Sequence, residues 1–416
     1  MNIVDHIINS YKENKSAASY KKFLLKLHLA RIFYKEGQKA ISELCDETNN
    51  SIPSLTAVLN ELTEAGWVQN FGSGESKGGR KPALFGLNPD AGYIMAIEIS
   101  RDYCRLSIFN MLNQSLGELV EIDKGLDTAA DILLLLKKES SKLLKSRKIK
   151  NEQIIGYGIT IPGLIDIRKG ISYSYPQLGS GNLNTMFTRL FGRPAFVEHD
   201  TKSMVLGESW FGLAQRMSNV LFLNIGSGIG MGIIINGNLY HGHSGFSGEF
   251  GHIQMIQGGE LCYCGKNGCL ETVASGTTIV RKAIAEIEKG KSSIISNQVN
   301  NVMQDIKLIT IITAAKQGDQ FALELLEEAS EYIARGISTI LHLFNPEAVI
   351  IGGEMAEAED LILNTIRQKL NKYAMFQLKK DTQIILSVLH QKSGLLGAIP
   401  VVMSNIFVVP KDLEQH

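Results

Sequence analysis

Three of the five cysteines, Cys262, Cys264 and Cys269, fall within eight residues, in the segment GELCYCGKNGCLE. Cys45 and Cys104 stand apart, and an odd total argues against a disulfide framework. Gly265 and Gly268 let the chain turn tightly enough for three sulfurs to converge. Zinc takes four tetrahedral ligands, and three cysteines with one histidine is a common closed set. His252, ten residues upstream in GEFGHIQM, is the nearest fourth ligand, with His241 and His243 as competitors. A closed set leaves no position for water, so one structural zinc per chain is expected. Reduced buried cysteines or a redox pair are the alternative.

Two acids flank this loop. Glu249 lies three residues before His252, and Glu271 lies two residues after Cys269. A metal would pin both carboxylates at either end of one loop. A histidine bound to metal through one ring nitrogen normally gives the other a partner. Carboxylates accept bonds from hydroxyls, and imidazole donates or accepts. Two acids and an imidazole together suit a polyol such as a sugar. Taken singly, each acid is ordinary surface charge.

The elements that must position these groups alternate along the chain. Strands are expected at 93–99, 104–110, 154–161, 220–224, 230–235 and 348–351, with a long helix at 323–344. This mixture fits an α/β fold of two lobes around a cleft. No short-period repeat is evident.

The N-terminal segment reads differently. Phe23, Leu24, Leu27, Ile32 and Phe33 supply one apolar helix face, and Ile41, Leu44 and Cys45 a second. Asn50 and Ser51 can cap a third helix, with Pro53 in its first turn and Leu55, Leu59 and Leu62 at helical spacing. Gly66 ends it, and strands are expected from Trp67 and at 83–87, around the turn-rich FGSGESKGGRKP. Three helices and a hairpin make a winged helix-turn-helix, a DNA-binding plan. Lysines are dense before it, at Lys12, Lys15, Lys21, Lys22, Lys26, Lys35 and Lys39, with Arg31; alone they read as a solvated helix face.

The chain has 416 residues, 44% hydrophobic and 20% charged, with 42 basic and 42 acidic side chains. That length suggests two or three domains. Zero net charge means that any DNA contact is local. Neither a signal peptide nor a membrane span is evident, so a cytoplasmic protein without membrane partners is expected.

Together, GHIQM followed by CYCGKNGCLETVASG resembles the signature of the ROK family of repressors, open reading frames and kinases. The likeness spans nearly the whole chain, through the helix-turn-helix, the SKGGRKPALFGLN wing, the IPG turn, GSGIGMG, IIGGE and SGLLGA, in the family's order. It implies an N-terminal winged helix-turn-helix at 1–88 and, at 89–416, a two-lobed actin-like, ribonuclease-H-like, sugar-kinase-type domain. The lobes would be roughly 89–200 plus the C-terminal helix, and 201–390, with NPDAG at 88–92 as a linker. It also implies zinc on the ligands above.

The family's sugar contacts map onto Glu249, His252, Glu271, Asp200 with His199 before it, and the turn Pro162–Gly163. Asp200 is the catalytic base if the chain is a kinase. Kinases of the family usually carry asparagine where His199 stands; some of its repressors carry histidine there. The family's first phosphate loop resembles DxGGT; here it reads Glu98, Ile99, Ser100, Arg101, Asp102, without either glycine. Its second, Gly226–Ser227–Gly228–Ile229–Gly230, and its adenosine-side turn, Gly352–Gly353, are intact. A half-preserved nucleotide site points to a regulator without enzymatic activity; an active hexose or N-acetylhexosamine kinase with a DNA-binding head is the alternative.

The expected partners are double-stranded operator DNA and a sugar or sugar-phosphate effector. Ser51, Ser54, Thr56 and Asn60 face outward on the third helix, and Lys77, Arg80 and Lys81 occupy the wing. With no basic residue on that helix, binding is expected to need a homodimer or homotetramer on paired half-sites. A third reading is a module controlled by a partner protein, as in some repressors of the family.

Overall fold

An unforeseen helix opens the chain. In the computed structural model, which describes residues 2–12, 16–73, 82–128, 131–179 and 181–407, α1 (Ile3–Lys12) buries Ile3, Val4 and Ile7. Next come α2 (Ala17–Glu36), β1 (Lys39–Ala40), α3 (Ile41–Thr48), α4 (Ile52–Glu64), β2 (Val68–Ser73) and β3 (Ala83–Leu87). The winged helix is present, with a third strand, since β1 pairs with β3. Ser51 is the N-cap residue of α4 and Pro53 lies in its first turn. Leu55, Val58, Leu59 and Leu62 form its buried face.

The lysine stripe is solvated at Lys21, Lys22, Arg31 and Lys35, but not throughout. Lys26 is only 2% exposed and pairs with Glu61 of α4, as does Lys22. Lys39 pairs with Glu36 and Glu47. Leu24, expected in the core, is instead 37% exposed.

Residues 88–92 do not form a loose linker. The Ile3 amide donates to Ala91 O (2.9 Å), the Asn88 amide to Trp67 O (3.0 Å) and the Met111 amide to Pro89 O (3.0 Å). A Cβ on Gly92 would sit 2.5 Å from Ile155 Cγ2. Asn2, fully buried, donates to Glu152 O and Ile154 O, both at 3.1 Å. Asp5 meets Arg193 at 2.8 Å, and Tyr34 bonds Asn113. The winged helix is thus fastened to the sheet that follows it.

That sheet holds β4 (Tyr93–Ile99), β5 (Cys104–Asn110), β6 (Val120–Ile122), β7 (Ile154–Ile161) and β10 (Ala195–His199). The short strands β8 (Ile165–Asp166) and β9 (Ile171–Ser172) intervene, with helices α5 (Ile132–Ser146) and α6 (Leu183–Phe191). Every residue of β4 and β7 is buried, which explains their mostly apolar runs, broken only by Glu98 and Thr160. Their order is β6-β5-β4-β7-β10, with β4–β5 antiparallel and β4–β7 parallel.

The second half starts with α7 (Asp200–Phe211), β11 (Val220–Ile225), β12 (Ile229–Ile235) and β13 (Asn238–Leu239). It continues through α8 (Glu271–Ala274), α9 (Gly276–Glu288), α10 (Ile295–Gln298), α11 (Leu308–Lys316) and α12 (Gln320–Phe344). It then adds β14 (Ala348–Gly352), α13 (Asp360–Tyr373), α14 (Phe376–Asp381), β15 (Gln383–Leu386) and α15 (Ser393–Ile406). Its sheet order is β13-β12-β11-β14-β15, with β11–β12 antiparallel and β11–β14 parallel. The two sheets therefore repeat one plan, hairpin for hairpin, although no sequence repeat announces it. Contacts divide the chain into one unit of residues 1–163, 169–198 and 398–416, and another of 164–168 and 199–397.

Candidate functional site

The cysteine loop folds back on itself through the bridges Gln254–Cys269 and Leu261–Asn267. Gly268 has φ +73°, and a Cβ there would meet Ile256 O at 1.7 Å, so glycine is obligatory. The Lys266 ammonium donates to His252 O (2.8 Å) and ties the loop tip to the histidine. As a result the ligating atoms of His252, Cys262, Cys264 and Cys269 all lie within 4.8 Å of one another. Neither His241 nor His243 belongs to this group. Around tetrahedral zinc, with Zn–S near 2.3 Å, sulfurs stand about 3.8 Å apart. Here Cys264 Sγ and Cys269 Sγ are 3.6 Å apart, and Cys262 Sγ is 3.6 Å from His252 Nδ1. The donor set and spacing fit a structural metal. Burial pushes the Cys269 thiol up to about 12 and raises Cys262 too, a cost to both thiolates that a bound cation would offset.

With Nδ1 turned to the sulfurs, His252 Nε2 faces outward. It lies 3.9 Å from Glu249 Oε2 and 3.0 Å from the hydroxyl of Tyr263. No sequence signal marked Tyr263, which packs edge-on to the imidazole at 5.1 Å between ring centroids.

The start of β12 gathers the remaining groups. Glu271 Oε2 accepts the Ile229 amide at 3.0 Å, and a Cβ on Gly228 would come within 2.9 Å of that oxygen. On Gly251 a Cβ would meet Ile229 O at 2.3 Å, so the turn carrying Glu249 and His252 lies directly on this strand. Gly248 O accepts the Met231 amide (3.0 Å). A Cβ on Gly230 would strike Thr201 Oγ1 at 2.6 Å, which brings the start of α7 against the strand. There Asp200 Oδ1 accepts the Thr201 hydroxyl at 3.1 Å and stands 3.2 Å from His199 Nδ1. Glu271 thus reaches residues 228–231 with its carboxylate, while the turn bearing Glu249 and His252 and the start of α7 bearing Asp200 pack against the same strand; all four side chains are half-buried. Pro162 and Gly163 belong to the other unit, at the end of β7, where Gly163 has φ +85° and packs on Ser174.

Two cavities of about 430 Å³ lie in this half. One, between α9 and α12, is lined by Arg281, Lys282, Glu260 and Glu328, which pair with one another. The other borders Glu249 and mixes apolar walls of Met231, Phe250, Ile340 and Leu343 with the polar side chains of Tyr240, His243, Ser244, Ser247 and Thr339.

The glycine loop between β11 and β12 is tightly occupied. Gly226 O accepts the Gly276 amide at 2.7 Å, and Ser227 O accepts the Thr277 hydroxyl at 2.7 Å. Gly352 makes room for the Phe222 ring, 2.3 Å from a Cβ placed there, and Gly353, at φ +78°, for Asn224 Oδ1 at 2.5 Å. In the equivalent turn between β4 and β5, the Ser100 amide donates to Tyr103 O. Ser100 O and Arg101 O accept the amides of Leu126 and Asp127 at 3.0 and 2.8 Å. Glu98, 4% exposed, has Arg105 at 3.9 Å, so this carboxylate faces a guanidinium where a kinase would offer it to magnesium.

On α4, Ser51, Ser54 and Asn60 are exposed; Thr56 is half-buried and its hydroxyl donates to Ile52 O (2.8 Å). Ile52, 59% exposed at the helix start, adds an apolar group suited to a thymine methyl. Lys77, Arg80 and Lys81 lie outside the described residues.

Relatives share this architecture. The chain is 30% identical over 373 residues to a xylose repressor of Caldicellulosiruptor bescii, covering 89% of this chain and 92% of the relative. It is 26% identical over 398 residues to the DNA-binding transcriptional dual regulator NagC of Escherichia coli, covering 95% and 93%. A crystal structure of a ROK family transcriptional regulator, a homologue of the E. coli MLC protein, matches with a TM-score of 0.77 at 24% identity, covering 93% of this chain and 97% of its own. The ROK family model matches residues 94–404, and the chain belongs to the ROK family.

Proposed function

We propose that this protein is a sugar-responsive DNA-binding transcription regulator, a repressor of carbohydrate genes. One observation carries the reading: Glu271, the turn bearing Glu249 and His252, and the start of α7 bearing Asp200 all meet residues 228–231 in a chain that also carries a winged helix. Asp200, Glu249, His252 and Glu271 hold the hydroxyls of a free or phosphorylated sugar. One zinc, bound by His252 Nδ1 and the three sulfurs, braces the loop; its role is structural, because the four protein ligands complete its tetrahedron. Ser51, Ser54, Thr56 and Asn60, with the wing cations Lys77, Arg80 and Lys81, contact operator DNA as a homodimer or homotetramer.

The repressor names of the relatives support this reading, and so does the turn at Ser100–Arg101, where the Ser100 amide is already donated to Tyr103 O. We read the chain as lacking phosphoryl transfer. The intact second glycine loop would favour the kinase alternative, but close packing by Glu271 and Thr201 accounts for Gly228 and Gly230. The test is a thermal-shift screen of free and phosphorylated sugars, xylose and N-acetylglucosamine among them, followed by operator binding with and without each hit. A stabilising sugar that changes operator affinity is expected. ATP turnover coupled to any sugar, or operator affinity indifferent to every stabilising sugar, would reject the proposal.

A further inference from the structure

The outward nitrogen of His252 is not empty-handed. Its Nε2 lies 3.0 Å from Tyr263 Oη, with Glu249 Oε2 3.9 Å from the same nitrogen. A phenol hydroxyl carries the hydrogen-bonding capacity of a sugar hydroxyl, one donor and acceptor lone pairs. It stands where one ligand hydroxyl would accept from the imidazole, with the Glu249 carboxylate close to the same nitrogen. The Tyr263 ring is 73% exposed, so swinging it away uncovers little new apolar surface. Its backbone neighbours are held fast, because Cys262 and Cys264 are on either side of it in the metal cluster. Displacement is therefore a side-chain rotation on a rigid loop.

We propose that Tyr263 is an internal competitor of the effector: its hydroxyl occupies the position on His252 that a sugar hydroxyl takes, and it leaves when the sugar binds. The inference rests on the assignment of Glu249 and His252 to the sugar site. A protein whose binding-competent form is only a fraction of the total binds with an affinity reduced by that fraction. Tyr263 thus raises the sugar concentration at which the regulator responds. It also selects for ligands whose hydroxyl bridges His252 Nε2 and Glu249, since a ligand touching only one of them recovers less than it displaces.

The sign of one measurement tests this. Isothermal titration of the full-length, zinc-loaded chain with D-xylose and with N-acetylglucosamine is compared among wild type, Tyr263→Phe, Tyr263→Ala and Glu249→Gln. The expected result is binding about three- to tenfold tighter for Tyr263→Phe, one hydrogen bond's net worth, and no weaker than wild type for Tyr263→Ala. A residue that merely contacts the sugar would give the opposite sign. Weaker or unchanged binding by Tyr263→Phe, while Glu249→Gln abolishes binding, overturns the competitor role and leaves the sugar site standing. Full binding by Glu249→Gln, or no binding of either sugar to any variant, overturns the site and the competitor together.

Discussion

The two sheets carry equivalent hairpin turns, and the turns have diverged. Between β4 and β5 the chain reads Ser100, Arg101, Asp102, and the carbonyls of Ser100 and Arg101 are bonded by the segment at 125–128. Between β11 and β12 it keeps three glycines, two of which let another side chain close in: Glu271 beside Gly228 and Thr201 beside Gly230, whereas a Cβ on Gly226 would meet nothing nearer than the Glu354 amide nitrogen at 4.0 Å. Part of a glycine pattern that resembles a phosphate cradle is here a seat for a carboxylate. Preserved glycines are therefore not by themselves a sign of nucleotide binding, and the loss of a matching set in the other turn is no sign of decay throughout the protein.

The comparison can be broken at several points. The largest effect should follow removal of the proposed metal, which would hold the loop bearing His252 beside β12. Cys269→Ser, or chelation, should cost on the order of 4 kcal/mol of stability and abolish sugar binding, read by thermal unfolding and titration calorimetry. Gly230→Ala should come next, because its Cβ would collide with Thr201 Oγ1; about 2 kcal/mol is expected for such overpacking, measured by chemical denaturation. Gly228→Ala should weaken sugar binding about tenfold, one displaced charge-assisted bond at Glu271, with a smaller change in melting temperature. In the head, Asn60→Ala should lower operator affinity about fivefold, seen by fluorescence anisotropy at fixed salt. The smallest effect, none, is expected from restoring both glycines with Ser100→Gly and Arg101→Gly: a coupled ATP assay should stay at background. Turnover in that variant would show that the two turns differ only in their side chains.

Much of the second half was legible because its signals are local. Three cysteines in eight residues need no distant partner to be read, and largely apolar runs such as Ile154–Ile161 fix buried strands to the residue. What escaped notice depends on distant contacts. Helix α1 went unread, and its polar residues find partners far along the chain: Asp5 is answered by Arg193 and His6 packs against Trp67. Lys26 looked solvated because its partner, Glu61, lies on another helix. The linker at 88–92 has the composition of a loop, but its backbone groups are bonded to Ile3, Trp67 and Met111. The repeated sheet plan left no trace because strand order constrains which residues are apolar, not which apolar residue is used. Tyr263 went unmarked because one tyrosine between two cysteines has no spacing to read.

The clasp made by Asn2, Ile3 and Asp5 has a consequence for how a signal leaves the protein. A head bolted down at its amino end, at residues 88–92 and at Tyr34 has no swivel of its own. It would move as a rigid arm with the sheet beneath it, so that a small rotation at the base becomes a larger sweep at α4. In the proposed dimer the operator would act on two such arms as a caliper, reading the distance between tips, and a tilt too slight to alter either helix would be enough to put the pair out of step with the groove.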